Sequence, residues 1–159
     1  MNTINSFSNE YQFLSNFYNA EVVYEGITYR SSEAAFQAAK SKDFQLRKEF
    51  SELNSAQAKL KGRHIELRND WDQVKDDIMY EIVKDKFTRN PNLKSLLMKT
   101  NSSVLIKGNW WHDNYWGSCS CEECQNTEGK NILGLILMRV RDEIRNEAFK
   151  AEYMAKWGK

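Results

Sequence analysis

The chain has 159 residues, of which 41% are hydrophobic, 28% charged and 13% aromatic, the profile of one packed domain rather than a disordered chain. One proline and seven glycines exclude collagen-like and proline-rich architectures. Lys plus Arg is 23 against 22 Asp plus Glu, a formal net charge of +1, which argues against a histone-like nucleic-acid binder while allowing a local anion pocket.

Residues 1–19 carry no hydrophobic period and are rich in Asn, Ser and aromatics. Residues 20–30 read as a β-hairpin, with Val22, Val23 and Tyr24, a Glu25-Gly26 turn, then Ile27, Thr28 and Tyr29. Ser31 or Ser32 is an N-cap for a helix running to about Lys40, with Glu33 in its first turn. A second helix is expected over residues 43–50, and a third, capped by Ser55, ends near Gly62. The strongest periodicity predicts a helix over 70–89: Trp71, Val74, Ile78 and Ile82 mark one stripe, which Met79, Val83 and Phe87 widen. Asn90-Pro91 ends that helix and starts the next. A short strand is expected over 104–106, and 107–130 read as loop. From Asn131 onward Leu133, Ile136, Leu137, Val140 and Ile144 mark a helical face deep in the core. The expectation is a helix-dominated α+β single domain over residues 1–159 with a small antiparallel β-hairpin, a core of about 7–145 and a helical tail over 146–159.

Four groups of residues could carry chemistry. Glu33, Phe36, Gln37 and Lys40 fall at i, i+3, i+4 and i+7, so one helical face would hold Glu33 and Lys40 about 10 Å apart along the axis, backed by Ala34, Ala35, Ala38 and Ala39. That face is either a solvated Glu and Lys or a polar stripe lining a cleft with Lys40 desolvated as a nucleophilic amine. The loop from Gly108 to Gly117 packs Trp110, Trp111, Tyr115 and Trp116 around His112 and Asp113. It is either an aromatic plug or a platform for stacking a ligand, with Asp113 expected to act by ionisation rather than packing. Cys119, Cys121 and Cys124 form C-x-C-x-x-C; free thiols in a reducing compartment are expected over a zinc site completed by His112. Phe13, Leu14, Ser15, Asn16, Phe17 and Tyr18 make an aromatic segment, and Arg63, His64 and Arg68 offer either a solvated basic face or a phosphate contact. No glycine-rich phosphate loop is present.

Taken together, FLSNFY at 13–18, YRSSEAAFQAAK at 29–40, KLKGR at 59–63, WDQVKDDIMYEIVKDKFTRNP at 71–91, DNYWG at 113–117 and GKNILGLILMRVR at 129–141 resemble the NADAR (YbiA-like) family. The resemblance spans about residues 7–145 and implies an N-glycosidase, a hydrolase of N-glycosyl bonds. It implies two substrate groups: early ribosylamino-pyrimidine phosphates of riboflavin synthesis, or ADP-ribose attached to guanine in DNA or RNA. Carried over by position, it makes Glu33 and Asp113 the catalytic carboxylates and Lys40 the lysine. Trp71 opens the long helix, and Asn16, Phe17, Trp116, Gly117 and Asn131 line the pocket, beside Tyr18 and Gln37 within the matching motifs. Lys107 departs from the acidic residue of many relatives, and the cysteine-bearing insertion is absent from shorter ones.

These readings combine into a mechanism. Lys40 captures the sugar C1 as a Schiff base, and Glu33 or Asp113 shuttles the proton. Trp110 or Trp116 stacks the base, and Arg63 or Arg68 holds a phosphate. No cofactor is required. The rival reading is a non-catalytic module that binds ADP-ribose or a nucleotide. A second rival is a zinc-stabilised nucleic-acid adaptor. The N-terminal MNTINSFSNE lacks a secretory pattern and the longest apolar run, 132–138, is far below membrane-spanning length, so a cytoplasmic location without membrane contact is expected.

Overall fold

The computed structural model describes residues 2–158. Its aperiodic first segment is tied down. β1 (Thr3–Ile4) will pair in parallel with a later strand, and a 3-10 helix (Asn9–Leu14) buries Phe13 and Leu14. β2 (Asn19–Tyr24) and β3 (Ile27–Ser31) form the expected antiparallel hairpin. Glu25 at φ +44° and Gly26 at φ +84° give the doubly positive-φ turn that matches the twist of paired strands. Val22, Tyr24, Ile27 and Tyr29 bury one face of the ribbon.

α1 (Ser32–Ala38) follows without a loop, because Ser31 ends the strand and caps the helix: its Oγ accepts the Ala34 N–H at 3.1 Å. The helix stops short of Lys40. The Lys40 N–H donates to the Gln37 carbonyl in a tighter final turn, and the Lys40 carbonyl accepts the Arg68 N–H at 2.8 Å. Lys40 therefore sits beyond the helix end, and the axial spacing expected for an i+7 pair does not apply to it. Residues 31–39 are all buried, and α1 touches β2, β3, α2 (Phe44–Phe50), α3 (Ser55–Gly62) and α4 (Trp71–Arg89). Asp43, expected as the first residue of this helix, is its N-cap and accepts the Leu46 N–H at 3.1 Å. α3 is capped by Asn54, with Gln57 returning the bond as a capping box, one residue before the expected Ser55. The Ser55 hydroxyl serves tertiary structure instead, donating to the Phe17 carbonyl at 2.9 Å and lying 2.8 Å from Ser31 Oγ.

α4 buries the predicted stripe of Trp71, Ile78, Met79, Ile82, Val83 and Phe87. Pro91 opens α5 (Pro91–Met98), and β4 (Val104–Leu105) pairs with β1. The segment read as loop holds a two-residue parallel ladder, β5 (Gly108–Asn109) with β6 (Ser118–Cys119), too short to leave an alternation in sequence. α6 (Ile132–Trp157) buries Leu133, Ile136, Leu137, Val140 and Ile144 against α4 and β4, and its residues beyond 144 are exposed. The architecture is the helix-dominated α+β arrangement expected.

One buried cation ties α4 to the N-terminal segment. Lys86 is fully enclosed, and its Nζ donates to the carbonyls of Phe13 at 2.7 Å and Ser15 at 3.0 Å, beside the faces of Phe87 and Tyr18. Burial draws its ammonium down from the ordinary lysine value to about 7. A lysine with a lowered native pKa burdens the fold below that pKa and is relieved as pH rises toward the unfolded value. Urea unfolding of the native chain and Lys86→Met at pH 7 and pH 9 should therefore show the stability gap moving in favour of the native chain. The expected movement is up to about 1.4 kcal/mol per pH unit. An unchanged gap would mean that Lys86 titrates as an ordinary lysine.

Candidate active site

The polar residues of α1 are the starting point. Glu33 is 8% exposed and Gln37 6%, so the stripe is not a solvated face. The Glu33 N–H, a helix-start donor without an intrahelical partner, is taken by the Asn16 carbonyl at 3.0 Å. One Glu33 carboxylate oxygen accepts from Gln37 Nε2 at 2.9 Å. Asn16 is further held by its Nδ2 against Met79 Sδ at 3.5 Å. Gly62 of α3 faces the Gln37 amide so closely that a Cβ there would stand 1.9 Å from Gln37 Oε1. Any larger residue at this point would have to displace the buried Gln37 amide.

Lys40 is half-buried at the mouth of this cluster. Burial lowers its pKa below the ordinary lysine value; Glu33 opposes that, and the nearby Arg63 and Lys59 charges add to the lowering. The net direction is downward, as a nucleophilic amine requires. Lys59 also lies 5.5 Å from the ring centre of Phe17, which is 43% exposed. Lys59 of α3 and Arg63 at its C-cap are one turn apart, so two further basic side chains act on Lys40, one of them lying over the Phe17 ring. Arg68 is differently employed: its guanidinium grips Asp70 at 2.6 and 3.0 Å and also reaches the Ala39 carbonyl. Tyr18 packs against the core beside Lys86.

Phe36 joins this cluster to the aromatic loop. Its ring lies 5.0 Å from that of Trp71 and 5.3 Å, edge-on, from that of Trp116. Trp71 thus belongs to both the core stripe and the wall beside Phe36. Trp116 packs in turn against Tyr115, whereas Trp110 is 75% exposed.

Asp113 is more than an ionisable group in a polar loop. Its Oδ1 accepts the N–H of Tyr115 and Trp116 at 3.2 and 3.0 Å, and its Oδ2 meets Lys107 Nζ at 3.2 Å. The buried Asn109 side chain closes the same turn by donating to the Asp113 carbonyl and accepting its N–H. Lys107, noted in sequence for its charge, is the direct partner of Asp113. Gly117 and Asn131 serve the scaffold of this loop. A Cβ on Gly117 would stand 2.1 Å from the Lys107 carbonyl. The Asn131 amide bridges the Leu105 carbonyl at 2.9 Å and the Lys107 N–H at 3.0 Å.

The residues to which the sequence assigned no role at the site are Lys59, Gly62, Met79 and Lys86. Lys59 had a signal in its i, i+4 spacing to Arg63; the others act through contacts far apart in the chain.

This arrangement can be set beside known proteins. A family model described as the NADAR domain matches residues 4–145. An N-glycosidase YbiA of Shigella boydii is 32% identical over 145 residues, covering 89% of this chain and 87% of that protein. A riboflavin biosynthesis protein of Vibrio vulnificus is 33% identical over 139 residues, 86% of this chain but 36% of that longer protein. The solution NMR structure of YbiA from Escherichia coli superposes with a TM-score of 0.79 at 31% identity, covering 93% of this chain and 88% of that one. With the family model spanning nearly the whole chain, this protein belongs to the NADAR family.

Proposed function

We propose that the protein is a hydrolase of N-glycosidic bonds whose substrate is a phosphoribosylated pyrimidine of the riboflavin-precursor type. The observation that carries this reading is the buried Glu33 beside a half-buried Lys40 of lowered pKa, with Lys59 and Arg63 adjacent. The names of the relatives, an N-glycosidase and riboflavin biosynthesis proteins, support the same chemistry. Lys59 and Arg63 suit the substrate phosphate. The aromatic wall of Phe36, Trp71 and Trp116, with Phe17 at the rim, suits a planar base.

In this mechanism the Lys40 amine bonds to the sugar C1 as the C1–N bond to the base breaks. The departing base nitrogen takes a proton from the Glu33 carboxyl. Opening of the ribose ring moves one proton from Nζ to the ring oxygen and leaves a protonated imine between C1 and Nζ. Water then adds to C1 and gives a proton back to the Glu33 carboxylate, the C1–Nζ bond breaks as the hydroxyl proton passes to Nζ, and the ribose phosphate, as its aldehyde, and the free amine are released. Glu33 is the better proton carrier, since its buried carboxylate has one amide partner, whereas Asp113 accepts two N–H groups and an ammonium. Asp113 instead supplies fixed negative charge near the developing sugar cation.

A release assay should compare a ribosylamino-pyrimidine phosphate with ADP-ribosylated guanine DNA. Release of free pyrimidine is expected with the first. Release only from the second would replace the substrate class, and saturable binding without product would make the protein a reader. Borohydride added during turnover should leave the sugar mass on Lys40. Lys40→Arg keeps the charge but cannot form an imine, so adduct and turnover should both vanish. A folded Arg variant with normal turnover would transfer the attack to water. Asp113→Asn can still accept both N–H groups of its turn and should lower turnover by about 10²-fold with the fold retained. Near-normal activity in that variant would remove its charge from the mechanism.

A further inference from the structure

The cysteine-bearing segment is not used by the proposed reaction, yet it gathers a convergent group of metal-binding side chains among the described residues. His112, Cys119, Cys121 and Cys124 each bring one ligand atom to a common point, and the four atoms lie within 4.8 Å of one another. His112 Nδ1 is 3.4 Å from both Cys121 Sγ and Cys124 Sγ. With zinc bonds of about 2.3 Å to sulfur and about 2.0–2.1 Å to nitrogen, a tetrahedral site has N···S edges of about 3.6 Å and S···S edges of about 3.8 Å. We propose that His112, Cys119, Cys121 and Cys124 form a structural Cys3His zinc site that locks the loop carrying Asp113.

The fold presents these donors in the way such a site needs. The β5–β6 ladder sets Asn109 opposite Cys119, which brings His112 over the start of the cysteine turn. Cys121 and Cys124 are held in a turn closed by the Cys124 N–H on the Cys121 carbonyl at 3.1 Å. The buried Cys119 Sγ accepts the N–H of His112 at 3.3 Å and of Cys121 at 3.5 Å, which stabilises a thiolate. Asn114 donates to Cys124 Sγ at 3.4 Å and accepts the Cys119 N–H at 2.8 Å. The second ring nitrogen of His112 faces Glu123 Oε2 at 3.9 Å, near the outer carboxylate common around metal-bound histidines. A disulfide would join two sulfurs at about 2.05 Å and would leave the third thiol and the converging imidazole unexplained.

Four protein donors complete the tetrahedron and leave no position for a reacting water, so the site is structural. Thiolate and imidazole donors in this geometry select zinc over the oxygen-seeking magnesium and calcium. Both chain neighbours of Asp113 are engaged: His112 supplies a donor and Asn114 bonds the cluster. The metal would therefore fix the backbone on either side of that carboxylate, whatever its role in turnover.

The test is metal content and spectroscopy on the whole chain purified under reducing conditions. Zinc should be present at about one per chain. After chelation, the reduced protein should bind about one equivalent of Co2+, with intense visible bands of tetrahedral thiolate coordination that added Zn2+ bleaches. Chelation should lower the thermal midpoint by about 3 °C or more. The double variant Cys121→Ser, Cys124→Ser should lose zinc and the cobalt bands. His112→Cys should keep one equivalent and shift the cobalt spectrum, which decides the matter if the double variant does not fold. Failure of the reduced native chain to take up Zn2+ or Co2+, or stoichiometric zinc in the folded double variant, would overturn the proposal.

Discussion

Everything in the site depends on the burial of α1 on all sides. A seven-residue helix enclosed by the hairpin and three other helices cannot leave its polar groups to water. Ser31, Glu33 and the Gln37 Nε2 group find partners in protein, whereas Ser32 Oγ and Gln37 Oε1 are buried without one among the described residues. The Asn16 carbonyl takes the Glu33 N–H, Gln37 takes the carboxylate, and Ser55 meets Ser31. The three alanines of α1 and the Ala39 cap make this enclosure possible, because only small side chains let several elements approach one short helix closely.

The same logic places Lys40. Ending α1 at Ala38 turns the chain outward just as the enclosure ends, leaving Lys40 half-buried. Half-burial lowers its pKa below the ordinary lysine value while leaving its amine within reach of water. Its carbonyl bond to the Arg68 N–H holds that intermediate position, and the Arg68 side chain is itself held by Asp70.

The aromatic loop reaches comparable order by another route. With only a two-residue ladder to support it, its backbone groups are satisfied by side chains: Asn109, Asp113, Asn114 and Asn131 each bond main-chain atoms of other residues. Short amides and carboxylates do what strands do elsewhere, and the turn formed by Asp113 sets Trp116 against Phe36. The placement of the Asp113 carboxylate and the structure of the loop are therefore inseparable.

The sequence by itself determined the hairpin, the long helices and the family. The 3.6-residue stripes of α4 and α6, the Glu25-Gly26 turn, the Ser31 and Asp43 caps and the Asn90-Pro91 break follow from local rules that need no partner. The spacing of Glu33, Phe36 and Gln37 likewise made a shared face legible, and the motif set pointed to the NADAR family. Only the tertiary structure decided that this face is buried and that α1 ends before Lys40. It alone joined Phe36 to Trp71 and Trp116, gave Lys86 its two carbonyls, paired Lys107 with Asp113 and gathered His112 with three cysteines. β1, β5 and β6 were equally invisible, since two residues carry no period and their pairing is set by distant chain. Local periodicity encodes which side of an element is apolar; burial and long-range pairing arise only when other elements cover it.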